Sequence, residues 1–239
     1  MKRVYSIVTA GVVLAGLLFL TPVHAEGLLY RLPEDGAFVK FEMEFSSNWK
    51  DEGEKTHKGT LTMSSVGEAK VDGKSCRWLE IKMEDQADLN HLAKVLILRE
   101  KLKAGESPLD HAVKGWRKMR EGGPKEITAF KTHDAGMLPL LLPGLLTDAK
   151  ELPKKVIDSK LGKLECVGHT GKSAFEPNNE MKFDITYEAW INDKAPFGVV
   201  SARLKVKALK NGEEAGTWTM TLRLVEVGEG AKSALPDHE

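Results

Sequence analysis

Histidines and cysteines are the first places to look for chemistry in this chain, and their spacing excludes most of it. Beyond the first 25 residues the histidines are His57, His91, His111, His133, His169 and His238. None forms the i, i+4 helical pair or close cluster from which a zinc site is built. No metal and no cofactor is therefore expected. Nucleophilic catalysis fares no better, since there is no GxSxG elbow and neither cysteine sits in a telltale motif. Gly168-His169-Thr170-Gly171-Lys172 lacks the spacing of a phosphate loop and precedes strand-like rather than helical sequence, so it reads as a hairpin turn. Asp110-His111 and His133-Asp134 read as solvated neighbours. An acid pair of glycosidase type is set in three dimensions and leaves no linear signature. Cys76 and Cys166 lie in strand-like segments, where a disulfide and two buried free thiols are both compatible with the sequence. A bridge would close a long loop and stabilise the fold by roughly 4 to 5 kcal/mol in the chain-entropy model.

Apolar side chains stand out more than polar ones. Residues 136 to 146 (GMLPLLLPGLL) hold seven large apolar side chains among two prolines and two glycines. Pro139 and Pro143 forbid one long regular helix, and the stretch is too short to span a bilayer. It reads as a buried plug at one end of a sheet, or as a mobile lid over an apolar ligand. Trp78 and Trp190 take the otherwise polar parity of their strands, and Phe197 follows Trp190 across a turn. The residues expected to contact an apolar ligand are Trp116, Met137, Leu138, Leu141, Leu145, Trp190, Phe197 and Trp218. Core packing is the alternative use of the same side chains.

The elements that must position these residues are mostly strands. Met181 to Ile191, Val200 to Ala208 and Trp218 to Leu224 alternate apolar and polar residues with period two, and short loops join them into an antiparallel meander. Phe38 to Trp49, Gly59 to Val66 and Arg77 to Met83 alternate in the same way, with Asp72-Gly73 as a tight turn. Lys94 to Leu98 is apolar on both parities, which asks for cover on two faces. That cover is expected from a helix opened by Ser107 as N-cap and Pro108, carrying Leu109, Ala112, Val113, Trp116 and Met119 at helical spacing, and stopped by Gly122-Gly123-Pro124. Val156 to Asp158 and Leu164 to Phe175 add further strand.

Lys2-Arg3, the apolar run Ile7 to Leu20 and Val23-His24-Ala25 make up the three regions of a secretory signal over residues 1–25. The apolar run is shorter than the ~20 residues a span needs, so no transmembrane span is expected after cleavage, and the chain reads as exported, to the periplasm or outside the cell. One β-rich domain follows over 26–228, and 229–239 reads as a disordered tail. The full chain balances 35 basic against 35 acidic residues, and both signs are dispersed along the strands. That pattern points to no nucleic-acid partner.

Taken in order, strands from Phe38 to Met83, the Pro-Leu region from Ser107 to Leu146, and strands from Val156 to Val227 resemble the lipoprotein-carrier superfamily of LolA/LolB-like proteins. Tyr187-Glu188-Ala189-Trp190-Ile191 followed by Pro196-Phe197-Gly198-Val199 looks like the strand-turn-strand of such proteins. The resemblance implies a mainly β (α+β) fold, a curved antiparallel sheet or unclosed half-barrel with one or two helices covering a face. It also implies a non-enzymatic protein that shelters a lipid or acyl chain between sheet and helices. An envelope β scaffold that binds a protein or polymer partner is the second reading, and an envelope hydrolase the third. The carrier calls for a void lined by Met, Leu and Trp, the scaffold for a close-packed core, and the hydrolase for convergent polar groups with perturbed pKa values.

Overall fold

The computed structural model describes residues 27–86, 90–101, 107–120, 122–130, 132–143 and 146–235. The signal segment and Leu145 lie outside them. Alternation along the chain becomes eleven antiparallel strands: β1 Phe38–Trp49, β2 Gly53–Val71, β3 Lys74–Asp85, β4 His91–Leu98, β5 Ala112–Met119, β6 Lys125–Glu126, β7 Thr147–Ser159, β8 Gly162–Phe175, β9 Met181–Ile191, β10 Val199–Lys210 and β11 Glu213–Gly228. They form a single sheet in the order β6-β5-β4-β3-β2-β1-β11-β10-β9-β8-β7. The chain runs outward from β1 to β6, crosses to the far edge at β7, and returns to pair β11 with β1. β6 and β7 are the two free edges, so the sheet is unclosed.

Period two places Val39, Phe41 and Met43 of β1 in the core while Glu42 and Glu44 are exposed. Two-residue turns set the hairpins. Asp72 and Gly73 join β2 to β3, and Asn211 and Gly212 join β10 to β11, all four with positive φ, as a turn matched to the strand twist requires. The expected turn at Gly168 to Lys172 is not one, because these residues lie inside β8 and pair with β9 from Trp190 back to Thr186.

The expected helix after Ser107 is corrected. Ser107 does cap, its hydroxyl accepting from the Leu109 N–H at 3.2 Å, but only a 3-10 turn follows over Pro108–His111. Residues from Ala112 on pair with β4 instead. Val95 to Ile97 and their neighbours need a ladder partner once buried, and that requirement outweighs a spacing that fits helix and strand alike. Gly115 adds to the bias, since it is weak inside a helix and a side chain there would meet the Phe130 ring at 2.8 Å. The sole α-helix among the described residues is one turn, α1 Leu138–Leu141. Covering helices are absent from the described residues.

Cys76 and Cys166 are both buried free thiols. They sit on β3 and β8, six strands apart in the order, so the bridge is not formed. After β11 the described chain runs on to Leu235, which is buried; residues 236–239 lie outside the described ones.

Candidate functional site

The concave face of the sheet is filled by the chain itself. Leu61, Met63, Leu79, Ile81, Leu204, Met220 and Leu222 project from the strands into one apolar cluster, and Leu28, Leu29, Leu138, Leu140, Leu141, Leu142 and Leu146 enter it from outside the ladder. Of these, 138–146 belong to the segment that joins edge strand β6 to edge strand β7. We call it the plug. The chain thus crosses the gap between its two free edges through its own core.

Local sequence explains the plug's form. Pro139 sits in the first turn of α1, where a missing N–H costs nothing, and the Leu142 N–H closes the turn on the Leu138 carbonyl at 2.8 Å. Two groups from other segments hold its far side: the Leu28 N–H donates to the Leu141 carbonyl at 3.0 Å, and the Ser107 hydroxyl donates to the Leu142 carbonyl at 3.2 Å. Elsewhere the plug is held by packing. Gly171 of β8 leaves room for it, since a Cβ there would lie 2.7 Å from the Leu146 Cβ. Leu28 is anchored in turn through Arg31, whose guanidinium donates to the carbonyls of Asp193, Ala195 and Pro196 in the β9–β10 turn.

At one margin of the plug lies a depression of about 360 Å³, lined by Ser107, Leu109, Asp110, Pro139, Leu142, Pro143, the β8 residues Ser173 to Phe175, and Glu176 just beyond them. Its size falls within the usual range for small-molecule sites. Phe175 at its wall stacks on Phe183, ring centroids 6.1 Å apart. A larger groove of about 810 Å³ crosses β8 to β11. There Ile185, Val206 and Trp218 form one cross-strand row and are nearly inaccessible. Lys172, Lys205, Lys207 and Thr217 alternate with that row and are exposed.

Most of the expected ligand residues lie in or against the central cluster. Leu138, Leu141, Phe197 and Trp218 are buried in the central cluster, with Met137 and Trp190 packed against it. Trp218 lies 5.3 Å from the Phe45 ring, and Trp190 carries the Lys155 ammonium at 5.0 Å. Trp116 is elsewhere. It takes the opposite parity on β5 and meets Trp78 at 5.4 Å.

Sequence reasoning missed two buried polar groups of the interior. The Tyr187 hydroxyl, from β9, has no hydrogen-bond partner among the described residues, and burial raises its pKa. His91 of β4 is buried with neither ring nitrogen paired, and Gly136 of the plug segment lies directly over it: a Cβ there would be 2.6 Å from Nε2. Burial, and then the Arg117 charge, push this imidazole down from 6.5 to about 4. Beside it Asp134 accepts from the Thr128 N–H at 2.7 Å and hydroxyl at 2.8 Å and pairs with Arg117 at 3.4 Å. Those bonds, led by the backbone one, lower its carboxyl to about 2. Tyr187 could have been noticed as a phenol on the apolar parity of its strand. His91 opens β4 on the apolar parity in the same way.

The perturbed groups do not converge. His91 and Tyr187 stand on strands six steps apart in the sheet order, and the described residues hold no group of His, Cys, Asp and Glu able to bind a metal. No helix among the described residues is long and apolar enough to cross a membrane.

No protein-family model matches the chain, and no curated protein does. Solved structures do. The chain is similar to a Bacteroides fragilis protein of YmcC-like fold, at 9% identity and TM-score 0.37, over 84% of this chain and 99% of that one. It is similar to a LolA superfamily protein from Nitrosomonas europaea, at 9% identity and TM-score 0.27, over 87% and 90% of the two chains. A domain from Vibrio parahaemolyticus, provisionally named an outer membrane lipoprotein-sorting protein, matches at 9% identity and TM-score 0.33, over 84% and 88%. At such identities and scores these likenesses carry no argument, and function must be argued from the site.

Proposed function

We propose that this chain is an exported, non-enzymatic carrier of an apolar chain, and that its ligand takes the place of the leucine plug on the concave face of the sheet. One observation carries the reading: the segment that fills the concave face joins the two unpaired edges and belongs to no ladder. It can leave without breaking an inter-strand hydrogen bond.

Magnitudes decide whether the exchange is feasible. Exposing Leu138, Leu140, Leu141, Leu142 and Leu146 costs about 1.5 to 3 kcal/mol each, or about 8 to 15 kcal/mol together. The plug therefore stays shut in water. An acyl chain of about 16 methylenes gains about 0.8 kcal/mol per buried group, or about 13 kcal/mol. Replacing one by the other is nearly neutral, so ligand supply sets the occupancy. The depression beside Pro139, Leu142 and Phe175 is where the exchange begins. Export rests on the signal-like sequence of residues 1–25.

A loosened plug tests this. Leu141→Ala removes a fully buried plug side chain and should weaken the plug by about 2 to 5 kcal/mol. A pyrene-labelled long-chain fatty acid should bind saturably to the unaltered chain, and at least ~10-fold more tightly to the folded variant. Equal affinity in the two would refute plug displacement, and no binding by any form would refute the carrier.

A second reading, an envelope scaffold for a protein or polymer, is favoured by the close packing of the described core and by the exposed lysines of the larger groove. It calls for no binding of the fatty acid to any form.

A further inference from the structure

The outer face of β3, β4 and β5 carries a second apolar patch that the concave core does not explain. Leu96, Trp116 and Leu235 are buried there yet lie outside the central cluster. Two charged side chains are buried with them: Glu80 is 6% exposed and Lys94 0%. They are cross-strand neighbours, and burial of charge is costly unless each is closely hydrogen-bonded.

The chain that follows β11 meets both. It leaves the ladder at Gly228, turns at Gly230 with φ +79, and is tied down where the Ala231 N–H donates to the Gly36 carbonyl at 2.9 Å. The Glu80 carboxylate then accepts from the Ala234 N–H at 3.0 Å, the Leu235 N–H at 3.4 Å and the Ser233 hydroxyl at 2.9 Å. The Lys94 ammonium donates to the Leu235 carbonyl at 3.5 Å and stands 4.7 Å over the Trp78 ring. A carboxylate thus reads two consecutive backbone N–H groups, an ammonium reads the carbonyl that follows, and an apolar patch takes the leucine. Main-chain bonds with one side-chain pocket are the chemistry of peptide recognition.

We propose that the face made by Trp78, Glu80, Lys94 and Trp116 is an acceptor site for a short peptide segment of a partner protein, with small residues followed by an aliphatic one, and that residues 231–235 fill it in cis. The cis segment competes at the roughly millimolar effective concentration of a short tether. It keeps the site closed to weak binders and yields when its own grip is lost. This site is separate from the plug, and its test does not depend on acyl binding.

The full chain is titrated with a fluorescein-labelled peptide of residues 229 to 235, read by anisotropy and by tryptophan emission. Two variants loosen the cis segment while sparing the acceptor: Leu235→Asp, and Ala234→Pro, which deletes one donated N–H. Both should bind the peptide at least ~10-fold more tightly than the unaltered chain, and adding Glu80→Gln to Leu235→Asp should reverse the gain. Folded variants that bind no better than the unaltered chain would overturn the proposal, as would binding indifferent to Glu80→Gln. Loss of native circular dichroism in both variants would overturn it too, because an exchangeable occupant cannot be required for the fold.

Discussion

Acidification should weaken this fold through His91, in a pH window set by that residue. The imidazole is 6% exposed, both ring nitrogens lack partners among the described residues, and Gly136 closes over Nε2. Its folded pKa is about 4 against 6.5 for the free group. Between those values the unfolded chain binds the proton and the folded chain does not. Stability is therefore complete above about pH 6.5 and falls as the pH drops towards about 4, by about 2 to 3 kcal/mol at pH 4.5. Asp134 acts in a lower window, its stabilisation being lost as the pH falls from about 4 through about 2. His169 is also pushed down by burial and acts in the same direction as the pH falls below the ordinary imidazole value, so the comparison must be made within a variant pair. Urea unfolding of the unaltered chain and of His91→Leu, at pH 7 and at about 4.5, isolates the term. The variant should lose about 2 to 3 kcal/mol less across that interval. An identical loss in both proteins would refute the assignment.

Three further outcomes follow from single groups. Tyr187→Phe removes a buried hydroxyl with no partner among the described residues and should raise the urea-derived stability by about 1 kcal/mol; a comparable loss would reveal a partner. Leu141→Ala empties a fully buried plug position and should cost about 2 to 5 kcal/mol by the same assay. Cys76 and Cys166, buried and unbridged, should resist a thiol reagent in the native protein and both react on unfolding without reductant. A protein that shows no reactive thiol when unfolded would carry the bridge instead.

Strands were the legible part of this chain because alternation is a local property. Phe41 and Glu42 declare opposite faces without reference to any partner. The segment after Ser107 misled because Leu109, Ala112, Val113, Trp116 and Met119 satisfy a helical spacing while Lys114, Trp116 and Lys118 satisfy a strand. The choice belongs to β4, whose backbone groups need pairing, and that need cannot be read from 107–122 alone. β4 itself was read correctly as covered on two faces, but by the wrong agent. Its outer face is covered by aromatic side chains and by residues 233–235. Glu80 binds that segment through backbone N–H groups, which every residue but proline supplies, so composition gave no sign of the docking. The plug was legible as an apolar oddity broken by prolines. Its place between the two free edges of the sheet was not, since strand order is a property of the whole chain.

The open edges connect the fold to the proposed carrier. Eleven strands in this order would close into a barrel if β6 met β7, and each edge resists that pairing. β6 is two residues long. β7 has thirteen residues, but its ladder with β8 slips after Thr147 and again after Leu152, Pro153 removes an N–H from its middle, and Lys150, Lys154 and Lys155 are exposed along it. Short length, bulges, proline and lysine are the usual means by which an edge is kept from pairing. A closed barrel would seal its interior behind continuous hydrogen bonds, so that admitting a ligand meant breaking the ladder. Here the seam is closed by leucine side chains, one backbone bond from Leu28 and one from the Ser107 hydroxyl. The work of opening is then mostly transfer of apolar surface, the one cost that an apolar ligand is able to offset.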